Sequence, residues 1–175
     1  MLLIKILQDR TLLRGRFSLA VYSAEMDRFV REYGLEEAEK ALRPLRVVRE
    51  KNLVVLAGRN LLRNFMNGDV VTGIERYAIG TNATAAVAGN TTLGTEVFRA
   101  IPTQKIKSDG VLTVKLYVAS TEANGNTLRE AGPFCNGATA TLNSGTLYAR
   151  AVHTAVVKSA AVAIVYSHDL IFAAG

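Results

Sequence analysis

The stretch TLREAGPFCNGATATLNSGTLYARA, Thr127–Ala151, decides the fold: two strand-forming runs flank a loop rich in Gly, Asn, Thr and Ala. The run before it, VLTVKLYVASTEANGN, alternates Leu112, Val114, Leu116 and Val118 with Val111, Thr113, Lys115 and Tyr117. That is the period of a sheet with one buried face. The same rhythm returns where Val162, Ile164, Tyr166, His168, Leu170 and Phe172 fall on one side of an extended run. Most of the apolar alternation lies after residue 96, so the core is expected in a β-sheet built from the C-terminal half.

Working back toward the start, IERYAIG (Ile74–Gly80) reads as the first strand of that sheet. The uncharged segment TNATAAVAGNTTLG after it reads as a loop or arm. VFRAIPTQKIK continues as a strand in which Pro102, having no amide to donate, marks an edge or a bulge. Asp109-Gly110 and Asn124-Gly125 are turn signals. Leu147 to Val157 and Ala160 to Phe172 are expected to pair as neighbouring antiparallel strands joined at Lys158 and Ser159. Six or seven strands after residue 70 suit a two-layer antiparallel β-sandwich with jelly-roll-like connections.

The first 68 residues read differently. Leu2 to Leu7 and Gly15 to Tyr22 suggest a hairpin. Ser23 offers an N-cap to a helix whose stripe is Met26, Phe29, Val30 and Tyr33, with Glu25 and Asp27 in its first turn and Gly34 as its stop. Leu35, Ala38, Ala41 and Leu42 start a second helix that ends before Pro44. RVVREKNLVV is a strand, and Leu56 to Met66 a helix capped by Gly68, with Arg59 and Arg63 on its solvent side. The expected organisation is mainly β with a helical N-terminal part (α+β): residues 1–68 form an adaptor or lid, and residues 69–175 a β-sandwich domain.

The chain has 175 residues and a net charge of +6. Residues 1–66 carry 13 Lys and Arg against 8 Asp and Glu, and the remainder 8 against 7. Interspersed in this way, the charges read as a solvated mixed face and not as a nucleic-acid footprint. No apolar run reaches the roughly 18 to 20 residues of a membrane span, and the start lacks a signal-peptide pattern, so a soluble protein synthesised in the cytoplasm without export is expected. Cys135 is the single cysteine. It reads as a buried or half-buried apolar side chain, with an intermolecular bridge as the alternative.

The motif order GRNLLRNFMNGD, IERYAIGTNATAAVAGNTTLGTEVFR, TEANGNTLREAGPF and SGTLYARA resembles a family of small virion structural proteins of tailed bacteriophages, over about residues 50–172. The resemblance implies a structural role in the virion, assembled in the host cytoplasm, and a fold-fixing role for Glu122, Asn124, Gly125, Arg129, Glu130, Gly132 and Phe134.

Catalytic apparatus is thin in the sequence. HExxH, GxSxG, GxGxxG and Cys/His metal spacings do not occur. His153 and His168 fall inside strands, and His168 shares a face with Tyr166 and Leu170, as a packed histidine does. Glu122 and Glu130 flank a turn and are the one carboxylate pair to consider. Glu130 reads as structural, accepting backbone N–H bonds from a loop or pairing with Arg99 or Arg150. The expectation is therefore no enzyme, no cofactor and no metal. Partners are the protein itself, as a homo-oligomer with a trimer among the options, and other virion proteins. Interface candidates are Thr81, Asn82, Thr84, Val87 and Leu93 on the arm, and Asn136, Thr139, Thr141 and Leu142 on the second loop. The alternative is a host-receptor or carbohydrate-binding module of a tail fibre, against which the absence of Trp weighs.

Overall fold

The computed structural model describes residues 14–172. Ten strands and three helices follow in the order β1 (Arg14–Ser23), α1 (Met26–Tyr33), α2 (Leu35–Ala41), β2 (Arg46–Val54), α3 (Leu56–Met66), β3 (Ile74–Gly80), β4 (Glu96–Ala100), β5 (Gln104–Ser108), β6 (Val111–Val118), β7 (Thr127–Cys135), β8 (Thr146–Leu147), β9 (Ala149–Val157) and β10 (Val162–Ile171). The mainly-β, α+β expectation holds. The Leu2–Leu7 half of the expected hairpin lies outside the described residues.

The strands form one antiparallel sheet in the order β4-β3-β7-β9-β2-β1-β10-β6-β5, with β8 alongside β7. One continuous sheet of this order does not by itself confirm a two-layer sandwich with jelly-roll-like connections. β2 is the shared strand: Arg46 to Lys51 pair with β1, and Asn52 to Val54 pair with β9. The sheet is also rolled. Nine strands laid flat would hold their edges about 38 Å apart at ~4.8 Å per strand. The edge strands β4 and β5 are joined through Ile101, Pro102 and Thr103 alone, and Ala100 to Gln104 can span about 14 Å at most.

Three corrections follow from this order. VFRAIPTQKIK is not one strand, because Pro102 breaks it where the chain crosses from one sheet edge to the other. β9 and β10 are not neighbours, since β2 and β1 lie between them. The sheet also does not divide at residues 68/69: β1 pairs with β10 from Arg14↔Ile171 to Ser23↔Val162, at its centre. β2 and β10 pair both edges of β1, and its Phe17, Leu19 and Val21 are buried in the main core. Eight strands lie after residue 70, where six or seven were expected.

The inner faces make the main core, with Leu19, Tyr77, Ile79, Val114, Leu116, Leu128, Ile164 and Tyr166 almost fully buried. Outside, α1 and α2 cover β1, β10 and β6, packing Met26, Leu35 and Ala38 against Tyr22, Ala163 and Val165. Ser23 is not the cap of α1, because it is still paired in β1, and Glu25 takes the cap position without a side-chain bond. Asp27, in the first turn, instead accepts bonds from the backbone N–H and hydroxyl of Ser120 and from the Tyr117 hydroxyl, tying the helix to the end of β6. The Asp109-Gly110 turn closes β5 onto β6 as read, with Gly110 at φ +63°. No helix of the described residues is long and apolar enough to cross a membrane.

Candidate functional site

The outer face of β4, β3, β7 and β9 is covered by the two uncharged loops, residues 81–95 and 136–145, with Ala57 of α3 beside them. Leu93 of the first and Ala138 of the second pack there with Val55, Ala78, Phe134 and Leu147. Beneath them lie two buried ion pairs, and these hold the loops in place.

Glu130, fully buried on β7, accepts bonds from three backbone amides of the first loop: Asn82 N at 3.2 Å, Gly94 N at 2.9 Å and Thr95 N at 2.7 Å. Its fourth partner is Arg150 Nε of β9 at 2.8 Å. Of the two arginines considered from sequence, Arg150 is the one that pairs. Arg150 also donates to the Asn90 and Asn82 side-chain oxygens at 3.2 and 3.4 Å. A carboxylate with four donors around it costs little to bury, whereas an unpaired one would be prohibitive.

The second clamp is Glu96–Arg99 on β4, bonded at 2.5 and 2.8 Å. Arg99 Nη1 donates to the carbonyl oxygens of Thr139 and Ser144 at 3.1 Å each, and Glu96 Oε2 accepts the Asn143 amide at 3.0 Å. The Arg99 guanidinium also lies 4.6 Å over the Phe134 ring, a cation–π contact. This pair was not found from sequence. Its only signal there is a Glu three residues before an Arg at the start of a strand, which is too common to single out.

The interface candidates therefore divide. Thr84, Val87, Asn136, Thr139, Thr141 and Leu142 are exposed, with Val87 at 57% and Leu142 at 47%. Thr81 and Asn82 are half-buried, and Leu93 is inside at 3%. Among the motif residues, Glu122 accepts the Ala119 amide at 2.8 Å and shapes the turn after β6. Asn124 and Gly125 continue that turn: Asn124 Oδ1 accepts from Lys158 Nζ at 2.9 Å, and the Gly125 amide donates to the Lys158 carbonyl. Glu122 and Glu130 thus serve different loops. Arg129 is half-buried, and Gly132 lies so close to β9 that an added Cβ would meet the Ala149 oxygen at 2.4 Å.

The buried Lys158 ammonium is held by the Ser120 and Ser159 carbonyls as well. Burial pulls its pKa below the ordinary lysine value, against the opposing charges of Asp27 and Glu122. His168 is fully buried, with Nδ1 2.5 Å from the Tyr77 hydroxyl. Burial, and then the neighbouring His153, push its pKa down to about 3. Cys135 is buried at the end of β7, where burial raises its thiol to about 12. It lines an apolar recess of about 200 Å³ between α3 and the ends of the sheet, together with Leu61, Phe65, Ile74, Leu112 and Phe172. The described residues hold no cluster of three metal-ligating side chains. Compared with protein-family models, curated proteins and solved structures, the chain matches none.

Proposed function

We propose that the protein is a structural component of a tailed-bacteriophage virion: a rigid β-roll that associates with copies of itself and docks on a capsid, neck or tail lattice. The observation that carries this is the clamping of two uncharged loops by buried ion pairs. A buried ion pair is an inefficient stabiliser, since apolar side chains of similar volume do as well or better. Here the two pairs fix loops that bear small, uncharged exposed side chains, among them Thr84, Val87, Thr139, Thr141 and Leu142. Loops already ordered lose little entropy on docking, so more of the contact energy survives as affinity.

The motif order from GRNLLRNFMNGD to SGTLYARA supports the same reading, as does Glu130, whose carboxylate is fully taken up by internal partners. Self-association would use standard interfaces of roughly 1,200 to 2,000 Å². Light scattering on the purified chain, with Val87→Lys and Leu142→Lys as variants, tests the role of the loops. The expected result is an oligomer that dissociates in the variants with the urea midpoint unchanged. A chain that stays monomeric at every concentration, together with purified virions whose peptides do not include it, overturns the proposal.

A further inference from the structure

The inner core contains a group of polar atoms that no other protein atom satisfies: Asn52 Oδ1 and Nδ2, His153 Nε2, His168 Nε2 and Tyr166 Oη, all buried. They belong to one neighbourhood. Phe17 stacks on His153 at 5.4 Å between ring centres, and lies 5.0 Å from His168 and 6.1 Å from Tyr166. His153 and Tyr166 are 5.8 Å apart. Asn52 is paired with Ala151, two residues before His153, and its amide lies against Gly15, two residues before Phe17.

The hydrogen-bonding roles of these atoms can be assigned in part. His153 Nδ1 is 2.8 Å from the Thr154 carbonyl, which only accepts, so the proton is on Nδ1. In a neutral ring that leaves Nε2 as a bare lone pair. At His168 the role of Nε2 is the opposite of whichever Nδ1 takes toward Tyr77. Tyr166 can donate and accept, and Asn52 brings two donors and an acceptor. The cluster thus presents donors and acceptors together, without a formal charge, the combination that water satisfies.

We propose that the roll encloses a fixed internal water site, about two molecules at ~3 hydrogen bonds each, bridging Asn52, His153, Tyr166 and His168. The four side chains come from β2, β9 and β10, so the bound water ties together strands on both sides of the fold in the sheet. It also fixes register, because a slip of one residue would turn every one of these atoms to the outer face.

The test is NMR on the full-length chain labelled with ¹⁵N and ¹³C. Long-range ¹⁵N–¹H correlation is expected to show His153 as the Nδ1–H tautomer, with Nε2 shifted as a hydrogen-bond acceptor. Water-to-protein cross-relaxation is expected at the ring protons of both His153 and His168, with the sign of a long-lived water. Asn52→Leu should remove most of that intensity at His153. Should Asn52→Leu not fold, Asn52→Ser, which keeps one hydrogen-bonding group, should retain the water signal at His168. Wild-type rings with no water cross-relaxation, an Nε2–H tautomer at His153, or a stoichiometric metal ion found by elemental analysis would each overturn the proposal.

Discussion

Removing the Glu130 carboxylate tests how the first loop is held. In Glu130→Ala, Arg150 is left buried beneath the loop with only the Asn82 and Asn90 oxygens as partners. Breaking a buried ion pair in this way costs about 3 to 5 kcal/mol. The amides of Asn82, Gly94 and Thr95 lose their acceptor as well. Any that stays buried and unpaired adds about 1 to 3 kcal/mol, and the loop will lift to reach water instead. The total approaches the whole stability of an ordinary domain, about 5 to 15 kcal/mol, so Glu130→Ala should fail to fold or barely do so. Glu130→Gln keeps the shape and one acceptor oxygen and removes the charge, and about 3 kcal/mol is expected. The assays are urea denaturation for the midpoint and amide hydrogen exchange for the loop. In Glu130→Gln, exchange at Gly94 and Thr95 should rise by far more than at Leu116 in the core. A Glu130→Gln midpoint equal to wild type, with Gly94 and Thr95 still protected, would refute the clamp.

Two other expectations are simpler to check. The pKa of His168 is depressed to about 3 and that of His153 is also lowered, so the unfolded chain binds more protons than the folded one below the ordinary histidine value. Stability should therefore be full above about pH 6.5 and fall on acidification, by up to ~1.4 kcal/mol per pH unit from His168 alone. Urea midpoints between pH 7 and pH 4 measure this, and a flat profile would contradict neutral burial. Gly58 in α3 sits against the backbone between β8 and β9, where an added Cβ would meet the Tyr148 oxygen at 2.1 Å, while Gly89 has nothing within 4 Å. Gly58→Ala should lose about 1 to 3 kcal/mol as overpacking despite its better helix propensity, and Gly89→Ala should stay within about 0.5 kcal/mol in the same denaturation assay.

Local signals in the sequence carried most of the elements. α3 and β3 have the bounds that periodicity predicts, and the Asp109-Gly110 turn closes the hairpin that its chemistry demands. Strand order was not legible. Leu147 to Val157 and Ala160 to Phe172 are adjacent in sequence and alike in pattern, which favours a hairpin. Lys158 at their junction is instead buried in a cage of oxygens from the turn after β6 and from Ser159, and β10 departs to the far half of the sheet. The charges of Arg46, Arg49 and Lys51 in RVVREKNLVV argue that part of this strand is exposed. All three are exposed although β2 is a central strand, so pairing rather than side-chain polarity decides where a strand sits. Of the site, Glu130 was readable because a lone carboxylate in an apolar run must find donors. Asn52 was not, since nothing around NLVV distinguishes a buried amide from an exposed one.

The pairing of β1 with β10 has a consequence for biosynthesis. About 150 residues separate the two strands, so on a ribosome working at 5 to 20 residues per second the first waits roughly 8 to 30 s for its mate. During that interval β1 can dock on β2, with α1 and α2 between them in the chain, while its other edge lies bare. A nascent chain halted before Val162 lacks the strand on which both β1 and β6 align, so translation must pass Ile171 before this sheet can close.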